Sequence, residues 1–570
     1  MSRRLPSDPP PEQAQPSLQK PDPRPVLLAA KRNAEEVRSI LSAYGLLDSD
    51  QGDRNLQAMA GDPHQRIQLA GILSMLLGSI SRTADSDQAL NHWERLLSSV
   101  ARTSFFTYLA SSPRMVDLLS VIFGNSDAMA FTLIRDPTLV YWLAEQEVLS
   151  KPATKTSLAE AVRKKLEHLT TKDMKLDVLR RFRRREMLRI GVRDLLRFAT
   201  VSETTASLSD LACTLIQAAY EVVDSELRRQ YGVPMHKNRQ GRWVETGFAV
   251  MGMGKLGGHE LNYSSDVDLI YVYESYEGET RPSPDRHGGK PPAVGISNEE
   301  YFELLSRELT KALVEPTREG HIFRVDLRLR AEGSVGQLAR SLHEYQKYYS
   351  SRGQVWERLA LLKASPVAGS LSVGGAFLKL VRPFVLGAAV KKPEMSEALV
   401  VVEEVRAAKE AIDRQMMEKG HEQRNVKLGT GGIREIEFFV QTIQVLAGKR
   451  MPILLDRSTL GALSRLAKSG LISVTQCNEL IGGYLFLRDT EHKLQMVHDI
   501  QTHALPNTEL ELERCAIRCG YGSEDRKKAT EQFREDHRRH TEVVNRTFVS
   551  FFSNPKESLI LKATLRALGG

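Results

Sequence analysis

The sequence predicts a mixed, mainly α fold: one small α/β unit set between two helical regions. Three observations predict it. Apolar residues recur every three or four positions over most of the 570 residues, which is the period of an amphipathic helix. Two β-rich runs, "ETGFAVMGMG" and "SDVDLIYVYE", flank a glycine-rich turn. After about residue 341 the helical period returns and holds to the end.

In order along the chain, residues 1–26 are rich in proline and polar side chains and predict a disordered tail. The tail lacks the apolar core of a signal peptide, and no apolar run reaches the ~20 residues that cross a bilayer. Residues 27–235 form the first helical region. Its most basic piece is Leu176–Phe198, where Leu179, Phe182, Met187, Ile190 and Leu195 can share a core-facing side. The arginines of that helix are either solvated or ion-paired, or they form a face that supports an active site or an acidic partner. Residues 236–340 form the α/β unit. After its first two strands comes "GETRPSPDRHGGKPPAVGIS", too polar to pack and expected to be mobile. A helix over "EEYFELLSRELTKALVEP" follows, then a strand over "IFRVDLRLRAEG", ended by Gly333. Residues 341–560 are helical again, and 561–570 are a tail or a truncation point.

Composition narrows the function. The length suggests several units rather than one. Four cysteines in 570 residues make no disulfide framework. Cys515 and Cys519 have no second Cys or His pair at zinc-site spacing, so they read as ordinary thiols of a reducing, cytoplasmic setting. A net charge of +8 is mild for this length. It implies neither nucleic acid nor membrane, but it suits acidic or phosphorylated partners.

The chemistry concentrates in "GMGKLGGHELNYSSDVDLIYVYE". Its G-x-G-x-x-G (Gly252, Gly254, Gly257) would suit a dinucleotide turn, but the next strand begins at Val267, which leaves too little chain for a crossover helix. A Walker pattern fails because Lys255 is followed by Leu256. Asp266 and Asp268 stand two apart on a strand and so share a face, while Val267 and Leu269 point into a core. Such carboxylates repel one another unless a cation joins them, which points to Mg²⁺. Asp326 supplies a third acid. On its predicted strand, Phe323, Val325, Leu327 and Leu329 alternate with Arg324, Asp326, Arg328 and Arg330. Three acids among arginines predict phosphoryl or nucleotidyl transfer, with two Mg²⁺ ions ~3.5–4 Å apart clamping the attacking and leaving oxygens. The glycines from Gly254 to Gly258 would let backbone N–H groups approach phosphates, and Ser264 and Ser265 could add hydrogen bonds. Lys255, Arg328 and Arg330 are further candidates for phosphate contacts.

In "GGIREIEFFVQTIQVLAG", Arg434, Glu437, Gln441 and Gln444 make one helix face and Ile436, Phe439, Val440, Ile443 and Ala447 the other. Trp356 precedes an apolar run and is expected in a core, with stacking on a base as the alternative. His537 and His540 are read as surface residues of a basic helix.

A Gly-Gly turn before S-D-x-D-L, with a later strand acid, resembles the nucleotidyltransferase fold of DNA polymerase β. Five blocks narrow the match: "GMGKLGGHELNYSSDVDLIYVYE", "FRVDLRLR", "YYSSRGQVWERLALLKASPVAGS", "KLGTGGIREIEFFVQTIQVLAG", and "YLFLRDTEHKLQ" followed by "QTHALP". In this order, from about Leu176 to Pro506, they are similar to the bifunctional glutamine synthetase adenylyltransferase/adenylyl-removing family. "ELNYSSDVDL" and "KLGTGGIREIEF" resemble its N-terminal, adenylyl-removing half. No second S-D-x-D-L follows residue 330. The resemblance implies Mg²⁺ on Asp266, Asp268 and Asp326, nucleotide phosphates near Gly257, Gly258 and Ser265, and a site lined by Arg434 or Glu437. It implies phosphorolytic removal of AMP from a tyrosine of glutamine synthetase, releasing ADP. Adenylylation with ATP and a non-catalytic regulatory role are the alternatives. Implied partners are glutamine synthetase, ATP or ADP, phosphate and a nitrogen-signalling regulatory protein. The chain departs from the family at Ala331 and Gln337, where proline is usual, so a fixed φ is lost in the loop after Asp326.

Overall fold

The computed structural model describes residues 20–31, 33–282, 295–387, 397–418, 420 and 424–552. Most of the expected tail, the centre of the polar loop after Gly278, and residues 561–570 lie outside them. The protein is mainly helical with small mixed sheets. Two compact units divide it: Met1–Asn125 with Leu133–Pro137, and Ser126–Thr132 with Thr138–Gly570.

Among its described residues the first unit holds helices and no strand. Aspartates 48, 62 and 85 cap three of its helices by accepting a backbone N–H in the first turn. Leu56, Leu69, Leu73, Trp93, Leu97 and Phe123 are buried in its interior.

In the second unit short helices precede two long ones, α1 (Lys172–Leu195) and α2 (Val201–Tyr231), each started by a threonine cap. A five-stranded sheet follows. Strands β1 (Phe248–Gly252) and β2 (Val267–Tyr273) are antiparallel, with Gly252 opposite Leu269. Helix α3 (Asn298–Val314) comes next, then β3 (Val325–Asp326) and β4 (Ala339–Ser341), both parallel to β2 and placed at its two ends. Helix α4 (Val355–Leu362) leads into β5 (Ser365–Gly369), which is antiparallel to β1. Helices α5 (Leu371–Leu386) and α6 (Glu397–Glu418) follow, and then the C-terminal bundle: α7 (Ile433–Ala447), α8 (Val474–Gln495) and α9 (Arg526–Phe552).

Strand parity explains how the sheet is buried on both faces. Phe248 stacks on Tyr220 of α2 and on Phe302 of α3, and Tyr273 stacks on Phe302 as well. Met251, Ile270 and Val272 pack on the other face with Phe377 and Val381 of α5. Asp268 shares the parity of Ile270 and Val272, so its carboxylate emerges where that second layer ends.

Two expectations are corrected. Strand character over "IFRVDLRLRAEG" stops at Asp326. The chain turns there, with the Arg330 N–H donating to the Leu327 carbonyl, so the alternation that put Arg330 on the acidic face does not continue. On α1, Glu186 and Leu188 are buried, whereas Met187 and Leu195 are only half-buried. The α1 arginines are ion-paired, as one of their two readings had it. Arg180 donates to the carbonyls of Ala312 and Glu315, Arg184 pairs with Glu319, and Arg183 lies over the Phe323 ring. They tie α1 to α3 and to the loop entering β3. Arg185 and Arg189 converge on the buried Glu186.

Candidate active site

A cleft of about 710 Å³ opens at the end of β2. The sheet and the glycine-rich turn give it Gly254, Lys255, Ser265, Asp266, Asp268, Asp326 and Arg328. The helices α4, α6 and α7, with the loop before α7, give it Trp356, Ile412, Lys427, Arg434, Glu437 and Gln441 among others.

The three acids meet because β3 runs parallel to β2 with Asp326 directly beside Asp268. Burial raises the Asp268 carboxyl to about 6, and the charge of Asp326 adds to it. Asp326 is held below its usual range, chiefly by the Arg328 guanidinium that grips it at 2.6 Å. Arg324 takes Asp266 at 2.7 Å. Gly254 fits the turn tightly. It has φ +51°, and a Cβ there would stand 2.6 Å from the Asp268 carboxylate.

Among the described residues no three carboxylates, imidazoles or thiolates already stand together as an ion cage. Two of the three acids are held instead by arginines, one of which, Arg328, is largely exposed. The donor set still suits a hard dication. Three carboxylates face one space, and burial raises the most buried of them, which a bound cation would offset.

The other predicted residues separate. Ser265 and Arg328 line the cleft. Lys255 lines it too, but its ammonium bonds Glu491 at 2.9 Å, and burial lowers it to about 7. Gly257 and Gly258 lie off the lining. A Cβ on Gly257 would come within 2.2 Å of the Lys363 carbonyl, so its small size serves packing. Arg330 is buried, and its guanidinium donates to the carbonyls of Leu327, Ser334 and Gly336. It clamps the loop after Asp326, where the prolines are missing, and does not face the cleft. Ser264 donates to Asp499 rather than reaching the cleft. On α7, Arg434, Glu437 and Gln441 reach the cleft, while Gln444 turns inward to the carbonyls of Leu454 and Asp456.

Several residues escaped the sequence reading. Trp356, expected in a core, is 45% exposed and lines the cleft. Lys427 stands in the glycine-rich loop before α7; a cation beside a G-x-G-G run was the available signal. Beneath the cleft Lys363 is buried, with its ammonium 2.8 Å from Glu260, 3.2 Å from Glu437 and 3.1 Å from the Thr459 hydroxyl. Burial opposes ionisation of Glu437, but Lys363 and Arg434 hold it down to about 2. Arg434 in turn rests on Glu437 at 3.3 Å. Arg488 joins the same layer, donating to the Glu260 carbonyl. A lysine closing the apolar run "LALLK" was the only sequence trace of this network. His537 and His540 are half-buried and lie against the rings of Phe533 and Phe486. Cys515 and Cys519 are free thiols.

Comparison with known proteins adds a second line. Residues 116–380 match the family described as glutamate-ammonia ligase adenylyltransferase, and residues 403–552 match that described as GlnD PII-uridylyltransferase. Among similar proteins, the bifunctional glutamine synthetase adenylyltransferase/adenylyl-removing enzyme of Hahella chejuensis is 36% identical over 73% of this chain and 41% of its own length. Those of Rhizobium meliloti and Pseudomonas aeruginosa are 41% and 38% identical, over 60% and 70% of this chain. The chain spans 33% and 38% of these two relatives.

Proposed function

Because the chain is a partial relative of the glutamine synthetase adenylyltransferases, we propose that its cleft is a nucleotidyltransferase site of the polymerase β-like kind. It removes AMP from a tyrosine of glutamine synthetase by phosphorolysis. The observation that carries this reading is the meeting of Asp266, Asp268 and Asp326 in one cleft with Lys427 and Arg434.

In the reaction, an oxygen of inorganic phosphate bonds to the phosphorus of AMP. The bond from that phosphorus to the tyrosine oxygen breaks, ADP leaves, and the phenolate takes a proton from water. Asp266, Asp268 and Asp326 would hold Mg²⁺, which when bound neutralises charge on the transferring group and aligns the incoming and outgoing oxygens. Lys427 and Arg434 offer cationic donors to phosphate oxygens, with Arg434 pre-oriented by Glu437 and Lys363. Arg324 and Arg328 become available to phosphate once the acids take a cation. Ser265 and the open backbone at Gly254 complete the polar wall.

A cationic wall serves ATP as well as phosphate. The wording "ELNYSSDVDL" and "GTGGIREIEF", which resembles the adenylyl-removing half, favours removal over addition. The match of residues 403–552 to a PII-uridylyltransferase supports a nitrogen-signalling protein as a partner of the C-terminal helices. The test is release of nucleotide from adenylylated glutamine synthetase with Mg²⁺ and phosphate varied in turn. Release requires both and yields ADP; release of AMP without phosphate would mean hydrolysis and reject the phosphorolytic reading.

A further inference from the structure

One wall of the cleft is apolar apart from Glu404, and the chemistry above does not use it. It comes from α4 and α6, and includes Trp356, Ala360, Ala407, Ala408 and Ile412. Trp356 is 45% exposed, whereas its two successors are locked. Glu357 accepts the Gln354 N–H at 2.7 Å and the Tyr348 hydroxyl at 3.1 Å. Arg358 donates to the Val385 and Gly387 carbonyls. These bonds fix the rotation of α4, so the indole is held at the cleft rather than swung there by chance. Ala407 and Ala408 on α6 are exposed and small, which leaves a flat space along that wall.

We propose that Trp356 is a specificity-determining residue whose indole stacks on the purine base of the nucleotide, while the phosphates point to the acids, Lys427 and Arg434. The charge layout argues for this occupant. A nucleotide has one flat, uncharged, aromatic end and one polyanionic end, and the cleft offers an aromatic, aliphatic wall from α4 and α6 and a charged wall from the sheet and α7. Stacking needs only a π-face, which an exposed indole supplies. The inference rests on the nucleotide reading of the cleft.

Tryptophan fluorescence tests it directly. Trp93 is fully buried, and Trp142 and Trp243 lie under the guanidinium groups of Arg185 and Arg281 at 4.8 and 3.5 Å. Trp356 is therefore the indole most open to a ligand. Titration of the full chain with ADP and Mg²⁺ should quench emission to saturation, and pyrophosphate, which has no base, should not. By calorimetry, Trp356→Ala should bind ADP about ten-fold or more weakly while pyrophosphate affinity changes less than two-fold. Trp356→Phe, which keeps a ring, should recover most of the ADP affinity. Equal ADP affinity in wild type and W356A overturns the stacking role alone. Loss of ADP and pyrophosphate binding together would make Trp356 structural and also overturn it. Quenching by N-acetyl-tyrosinamide but not by ADP would give the wall to the tyrosine of the protein substrate. Wild type that binds neither ADP nor pyrophosphate would reject the nucleotide reading itself.

Discussion

Burial, and then the charges of Asp326 and Asp266, push the Asp268 carboxyl up to about 6. Because the folded-state value lies above the usual one of 3.8, the folded chain binds the proton more tightly than the unfolded chain. Stability therefore falls as pH rises through the window from about 4 to 6, and the penalty is complete above it. At ~1.4 kcal/mol per pH unit, the penalty is on the order of 2–3 kcal/mol. With a chelator present, Asp268→Asn should resist urea better than wild type at pH 7 and match it near pH 4. A variant no more stable at pH 7 would show that the acids do not strain the site. The same variant should lose about 10³-fold or more in Mg²⁺-dependent turnover, since losing a metal ligand removes several kcal/mol of transition-state stabilisation. Wild-type turnover in a folded D268N would remove Asp268 from the chemistry. The acid pair was legible in sequence because strand parity alone puts residues 266 and 268 on one face. Gly257 and Trp356 were not. A glycine that fits against the Lys363 carbonyl and a glycine that admits a phosphate look alike in sequence, and nothing in "QVWERL" tells which side of α4 is covered.

Elements were legible where the local pattern agrees with the packing. Strand β2 and helix α3 lie where alternation and helical period put them. The strand over "IFRVDLRLRAEG" failed after two residues because side-chain to backbone bonds outweigh alternation there. Once Arg330 can satisfy three carbonyls of one loop, a turn costs no hydrogen bonds. The wheel of α7 was right for Arg434, Glu437 and Gln441, but it could not see that the chain at Leu454–Asp456 returns to claim Gln444. Lys363, at the end of α4, joins the turn after β1 to α7 through two buried carboxylates. Lys363→Met should take the ammonium from both carboxylates, leaving Glu437 on Arg434 and Glu260 on Thr459, and cost about 3–5 kcal/mol in urea unfolding. A loss under about 1 kcal/mol would mean that the network is not what holds α7 against the sheet. If the variant is folded at low temperature, its phosphate affinity should also fall, because Glu437, no longer anchored by Lys363, would hold Arg434 less firmly.

For the whole molecule, the mainly helical class with a small sheet was readable because helical period and β-runs occupy different stretches. Packing partners were not readable. The helices α1 and α2 carry the same period as those before them, yet they face α3 and the sheet, and periodicity does not name what a helix packs against. The site was legible as chemistry, three acids and a set of cations, but its floor of Lys363, Glu260, Glu437 and Arg488 was not, since buried polar partners come from distant segments. The central claim is that this one cleft takes AMP off glutamine synthetase and gives it to phosphate. The measurement that tests it gives the purified chain two labelled substrates in parallel: glutamine synthetase carrying labelled AMP, with Mg²⁺ and phosphate, and unmodified glutamine synthetase with α-labelled ATP. The account predicts labelled ADP from the first and little labelled protein from the second, with D268N silent in both. Labelled protein from ATP, without phosphate-dependent release of ADP, would contradict it.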